Sequence, residues 1–342
     1  MNKIELSESV VNALTEKGRM AEWARNVISA SRDKNIILSQ EDVEISNNLN
    51  EYIKKVDKFG SKVAGEEIST IINKIVTDEV YNAPTEILDQ IFDTASYDEF
   101  DKVKVTKSLK NTLIAYESQA RTGNVDKSYL DFKEGTVQEK HLQLETEIKL
   151  SDLRRQGALG VAEYAMRAVE EFNNRKFAIV MSMIDKAITG GTNAFTCAST
   201  LTLTALNDFT GWLLDNIAEG TPEAIGLSST MRGIYQIVNI NDTMSDTMLN
   251  DLNRMSLLQF HNGVALVPVR AGKKLGDGKT LIEKDKIIGI AGKAGFMYTK
   301  GDLRTLSDVD INREVLHIKY TGVEFGVCFT DTDKIATLTI TK

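Results

Sequence analysis

The sequence predicts an α+β protein of extended, several-part design. Three observations predict it. Residues 1–95 carry hydrophobic residues at helical spacing; residues 142–150 alternate cleanly and run straight into a long helical stretch; and the C-terminus is strand-patterned throughout. At 342 residues the chain is long enough for two or three compact units or one elaborated one.

The N-terminal helices come first. Val10, Val11, Leu14, Met20, Trp23, Ala24, Val27 and Ile28 recur at spacings of three and four. Val43, Ile45, Leu49, Tyr52, Ile53 and Val56 form a second stripe, and Ile68, Ile71, Ile72, Ile75 and Val76 a third. A short helix through Ile87, Leu88 and Ile91 follows Pro84. Thin stripes of this kind need a surface to cover, either one another or a neighbouring subunit.

From about residue 99 the period drops to two, with Val103 and Val105 alternating with Lys102 and Lys104 and an extended stretch over 113–116. Residues 117–140 are polar, with Gly123 and Gly135 as breakers. Leu142, Leu144, Thr146, Ile148 and Leu150 then alternate with Gln143, Glu145, Glu147 and Lys149, the pattern of a strand with one buried and one wet face. Strand, long polar excursion and strand predict a projecting hairpin over 117–143, and a loop of that length usually serves a partner or a site.

A single long helix is predicted next over 151–189. Ser151 is its expected N-cap, Asp152 suits its first turn, and Gly190-Gly191 ends it. Leu159, Ala162, Met166, Val169, Phe172, Ile179, Val180, Met183 and Ala187 trace one face, with a possible kink site at Asn173-Asn174. Unbroken, it would span on the order of 57 Å.

Residues 196–299 predict mixed α/β structure. A helix is expected over 200–218, a turn at Pro222, a helix leading into a strand over 228–238, and helix or loop over 242–255. Strands are expected over 263–269, 287–290 and 295–298, with a glycine-rich loop tip over 272–278. At the C-terminus Val315, His317 and Lys319 alternate with Leu316, Ile318 and Tyr320, and Val323, Phe325, Val327 and Phe329 share a face. A turn at 331–334 leads to a last strand with Ala336, Leu338 and Ile340, and this meander is expected to close the sheet begun around 99–150.

Composition excludes several function classes. A formal charge of −8 argues against a strongly basic nucleic-acid coat, although local basic patches survive it. Two distant cysteines, Cys197 and Cys328, make no disulfide framework and read as small buried hydrophobes, which fits a reducing compartment. The N-terminus lacks the apolar stretch of a secretory signal, and the longest apolar run, 177–181, is far too short to span a membrane, so a soluble cytoplasmic product is expected.

Catalytic motifs do not emerge. His141, His261 and His317 stand alone, without zinc-ligand spacing. Ser228-Ser229 does not form a nucleophile elbow. The glycines at 289, 292 and 295 have the wrong spacing for a phosphate loop, and Ala294 stands where Ser or Thr is needed, so the segment reads as a bend between strands. Glu170-Glu171 reads as a solvated helix face and Asp331/Asp333 as a turn. Arg154-Arg155, Arg175-Lys176 and Lys273-Lys274 could meet phosphate, but pairing with the abundant acids is favoured. We assign no catalytic, cofactor-binding or metal-ligating residue, and no cofactor.

The order of these elements resembles the major capsid proteins of tailed bacteriophages, the Hong Kong 97-type shell fold, over residues 96–342. The closest local match is the tail, 318–340, where a short acidic turn is followed by Ile335-Ala336-Thr337-Leu338; the second is 142–168, alternating strand into long helix. The resemblance implies a non-enzymatic subunit that self-assembles into hexamers and pentamers of an icosahedral head around double-stranded DNA. It implies a virion location after assembly in the host cytoplasm, and partners limited to itself, scaffolding, portal and decoration proteins, and DNA by non-specific contact, with no membrane.

It also implies a division of the chain. Residues 1–95 depart from the family's simplest pattern and are expected to be a retained helical N-terminal arm, although some relatives lose a scaffolding segment there. Residues 117–143 would be an extended loop over a neighbouring subunit, with Lys127, Lys133 and Lys140 in it but no cross-link inferred. Residues 96–116, 144–195 and 300–342 would be the peripheral domain with spine helix 151–189. Residues 196–299 would be the axial domain, with 272–278 near the symmetry axes. Two alternatives stay open: an encapsulin-type nanocompartment shell, and a cytosolic enzyme with an unrecognised site, which would show a deep pocket of convergent polar groups.

Overall fold

The computed structural model describes residues 6–82, 86–99, 101, 103, 106–107, 133–134, 137–188, 191–217, 219–237, 259–301 and 303–341. The chain forms two compact units, each assembled from three separate stretches. Unit one is Met1–Thr85, His141–Lys176 and Gly301–Glu324; unit two is Glu86–Lys140, Phe177–Lys300 and Phe325–Lys342.

Unit one begins with four helices: α1 (Glu8–Thr15), α2 (Arg19–Arg32), α3 (Gln40–Asp57) and α4 (Ser61–Asn82). The predicted stripes face one another. Met20, Trp23, Ala24, Ile45, Leu49, Ile53, Ile72, Ile75 and Val76 are all buried. Val11 and Val43 are exceptions; each points outward and is about two-fifths exposed, at 41% and 42%. Ser39 caps α3 by accepting from the Asp42 amide at 3.1 Å.

The helices also cover a sheet. In unit one, β11 (Arg304–Asp310) pairs antiparallel with residues 315–321 of β12 (Val315–Phe329), and β4 (Gln138–Lys149) also pairs with β12. Helix α4 lies on β11: Gly65 sits so close to Val309 that a Cβ there would collide with its Cγ2, and Ser69 Oγ meets Ser307 Oγ at 3.1 Å.

The predicted single helix over 151–189 is two helices, α6 (Leu150–Gln156) and α7 (Ala158–Ile188). The break is Gly157, at φ 59 and ψ −135, a conformation that a side chain disfavours. Ser151 is not the N-cap. The start of α6 has no side-chain cap, and Leu150 N donates instead to the Glu314 carbonyl at 2.9 Å. At 173–174 there is no interruption; α7 continues and Asn174 is buried within it.

Unit two holds α5 (Glu86–Ile91), β1 (Phe92–Tyr97) and β10 (Gly295–Lys300), with β1 and β10 parallel in the register Phe92↔Gly295 and β10 next to β12. The first strand therefore starts inside the stretch expected to be helical. A small ribbon, β2 (Thr106–Lys107) with β3 (Lys133–Glu134), pairs antiparallel at the root of the polar excursion. Most of the expected hairpin over 117–143, Lys127 included, lies outside the described residues, as does 242–255.

The second sheet of unit two has the order β5-β13-β9-β6-β8-β7. Its strands are β5 (Ala194–Ala198), β6 (Glu223–Leu227), β7 (Phe260–His261), β8 (Val264–Val269), β9 (Lys286–Ile290) and β13 (Ile335–Thr341). Helices α8 (Leu203–Asn216) and α9 (Ser228–Ile237) pack against it through Leu206, Phe209, Leu213, Met231 and Ile234. Of the C-terminal meander expected to close the sheet begun around 99–150, β12 does pair with β4, but β13 does not join that sheet. It lies instead between β5, to which it runs parallel, and β9, to which it runs antiparallel. The redirection is local. The turn η1 (Thr332–Lys334) follows β12, and the Asn193 side-chain amide donates to the carbonyls of Thr332 at 2.9 Å and Ile335 at 2.7 Å, holding the chain beside β5.

Candidate functional site

Among the described residues, no group of three or more His, Cys, Asp or Glu is placed to hold a metal ion. No helix among them is long and apolar enough to cross a membrane. The three histidines stand apart. His141 Nδ1 is 3.1 Å from Glu324 and His317 Nδ1 is 3.6 Å from Glu147.

His261 is buried beside α8, its Nε2 3.2 Å from Asn207 Oδ1, an oxygen that also accepts from Asn262 Nδ2 at 2.9 Å. Burial pushes its pKa below the ordinary 6.5. The sign follows from linkage. The unfolded chain takes up this proton first, so the contribution is complete above the ordinary value and is lost as pH falls through the lowered one. We expect His261→Gln to flatten the acid side of the stability profile between about pH 7 and pH 5. Unfolding midpoints at the two pH values check this, and an unchanged difference between them would rule out His261 as the titrating group.

Both cysteines are buried thiols; Cys197 Sγ lies 3.8 Å from the Thr339 carbonyl, and burial raises its pKa. The glycine segment that faintly resembles a phosphate loop is the bend between β9 and β10, with Gly292 at φ 140. Asp331 accepts from the Asp333 amide in the turn before β13.

The basic pairs part company. Arg155 pairs with Asp152 at 3.4 Å and Arg175 with Glu171 at 3.9 Å, both along their own helix faces. Arg154 does more: it reaches Asp57 at 2.6 Å, Glu314 at 3.0 Å and Ser61 at 3.1 Å, joining α6 to the α3–α4 turn and to the turn before β12.

Lys274 belongs to a cavity of about 650 Å³ in unit two, lined also by Leu227, Ser229, Lys279, Glu283 and Lys284. It opens where the parallel strands β6 and β8 end together and α9 begins, with Ala271 N donating to Ser228 Oγ at 3.3 Å. Glu283 of this lining pairs at 2.9 Å with the buried Lys286, which also bridges Asp185 at 2.7 Å.

Two arrangements escaped the sequence. At the root of the polar excursion, Tyr97 meets both Phe296 and Tyr298 edge to face, Tyr298 donates to Glu139 at 2.6 Å, and Val137 sits against Gly326. At the α6–α7 break, Asn50 Oδ1 accepts from the Ala158 amide at 2.8 Å. Gly157 was a readable breaker signal inside the helical stretch. The partners Asn50, Glu139 and Glu314 carry no signal, because each lies far along the chain from what it holds.

No protein-family model and no curated protein sequence matches the chain. Solved structures do. A chain of the satellite phage P4 procapsid structure, which includes the size determination protein, matches with a TM-score of 0.51 at 10% identity, over 78% of this chain and 90% of that one. A chain from Gordonia phage Cozz matches with a TM-score of 0.50 at 11% identity, over 73% and 85%. A virus-like particle from Pyrococcus furiosus is more distant, with a TM-score of 0.40 at 12% identity. The fold is thus one found in phage capsid structures.

Proposed function

We propose that this chain is a structural shell subunit that assembles into the hexamers and pentamers of an icosahedral phage head around double-stranded DNA. The observation that carries the proposal is the fold shared with the P4 procapsid chain over nine-tenths of that chain's length. The distribution of polar contacts supports it. Ion pairs such as Arg154–Asp57, Arg154–Glu314 and Lys286–Asp185 tie secondary-structure elements together. Shells draw their stability from many modest contacts repeated under symmetry, so the working surface is spread over the subunit.

Within this reading the parts follow the Hong Kong 97-type plan. Residues 117–143 reach over a neighbour. Residues 96–116, 144–195 and 300–342 form the peripheral domain, with α6 and α7 in place of one spine. Residues 196–299 form the axial domain, with 272–278 and the adjoining cavity near the symmetry axes. Scaffolding, portal and decoration proteins are the further partners, and the mature location is the virion.

Electron microscopy of the purified full chain tests the proposal. Closed particles, capsomers or sheets are the expected result. A protein that stays monomeric under all assembly conditions would overturn it. The contents of particles formed in cells separate a genome container, which holds DNA, from a nanocompartment, which holds a protein cargo.

A further inference from the structure

The N-terminal helices are the part of the chain with the least obvious place in a shell subunit, since an arm could reach outward or be removed. Their contacts point elsewhere. The joint between α6 and α7 is a glycine at positive φ, and the first amides of α7 beyond it have no intrahelical acceptors. The acceptor for Ala158 N is Asn50 Oδ1 at 2.8 Å, from the middle of α3. The fit is tight: a Cβ on Gly157 would collide with that same oxygen.

On the other side of the joint, Arg154 is held by Asp57 and Ser61, from the end of α3 and the start of α4, and by Glu314. Ser61 Oγ in turn meets Glu314 at 3.2 Å, and the Glu314 carbonyl accepts from Leu150 at the start of α6. Further along, α4 covers β11 through the close approach at Gly65–Val309 and the Ser69–Ser307 hydrogen bond.

We propose that α1–α4 are a permanent splint of the folded subunit: Asn50, Asp57 and Ser61 set the α6–α7 joint and α4 roofs β11, so that assembled particles keep residues 6–82. Removing these helices would uncover the face of β11 and strip three polar partners from the joint. A segment so placed completes the fold that assembles. The particle part of this statement rests on the shell reading above; the splint itself does not.

Two measurements are paired so that the two failures can be told apart. The first needs no particles. Limited proteolysis of the intact soluble chain, read by mass spectrometry, should leave the N-terminal helices associated with the rest even after a nick in the loops at 33–39 or 58–60. Early release of a fragment ending near residue 82, with a stable soluble remainder, would overturn the splint. Asn50→Ala should speed cleavage around 156–158 several-fold, and Asn50→Asp, which keeps an acceptor oxygen, should restore most of the protection. Equal rates for all three proteins would also overturn it. The second measurement is the subunit mass in purified particles, where a mass beginning beyond residue 82 would overturn retention while leaving the shell reading standing.

Discussion

Gly295→Ala is expected to cost about 3 kcal/mol of folding free energy in unit two, near the top of the usual range for overpacking. Strand β10 starts at Gly295, where a Cβ would collide with the Cys328 carbonyl oxygen and approach Phe329 Cα to 3.1 Å. Both obstacles are backbone, so no rotamer change relieves them. Relief requires β10 and β12 to separate. That would strain the adjacent bonds that Thr330 N and Asp331 N make to the Ala294 carbonyl, both 3.0 Å, and that Ala294 N makes to Ile91 at 2.7 Å. The same substitution at Gly233 should have the opposite sign. That glycine lies inside α9 with open space around it, so alanine should stabilise by about 0.5–1 kcal/mol through helix propensity and a less flexible unfolded chain. Denaturant midpoints of the two variants against the parent check the pair. A Gly295→Ala protein within about 0.5 kcal/mol of the parent would mean that the two strands do not approach closely there.

The contrast shows what a pattern of residue types can and cannot carry. Helical periodicity identified the core of α2–α4 because one face is buried and its spacing repeats; Trp23, Leu49 and Ile72 lie where the stripes put them. Alternation likewise marked Leu316, Ile318 and Tyr320 as the buried side of β12. Beyond Gly322, at φ 91, that alternation breaks. Phe325, Val327 and Cys328 are all buried, so one continuous strand reads as two apolar runs. The order of strands is less legible still. Nothing in Ile335–Thr341 distinguishes a strand that continues a meander from one that crosses to a second sheet; the side chain that ties down the turn before it, Asn193, lies far along the chain. The same holds for surfaces of assembly. A shell subunit has no reactive triad whose residue types announce it, so the proposed function is carried by the arrangement of elements, and single residues such as Asn50 acquire a role only when their partners are placed.

Arg19→Leu should destabilise the helical layer by about 3 kcal/mol. Asp42, in the first turn of α3, is only 2% exposed. Its Oδ1 takes a hydrogen bond from Arg19 at 2.9 Å and its Oδ2 one from Asn26 at 3.0 Å. Its backbone carbonyl accepts from Ser46, whose hydroxyl accepts from Trp23 Nε1 at 3.0 Å, so α2 and α3 are joined through both the carboxylate and the carbonyl of Asp42. Losing the guanidinium leaves a buried charge. Asn26 and the N-terminal end of α3 still favour that charge, which places the cost near the low end for a broken buried pair. Replacing both members with leucine removes the orphan, and the double variant should be clearly more stable than Arg19→Leu alone, with a coupling of about 2 kcal/mol. The chain has two tryptophans, so in a Trp212→Phe background the fluorescence of Trp23 follows this layer alone. A single-variant cost below about 1 kcal/mol, with coupling near zero, would identify the pair as surface electrostatics of little weight. A large coupling would instead show that the helical layer folds as one piece around Asp42, the condition it must meet to brace the α6–α7 joint from outside.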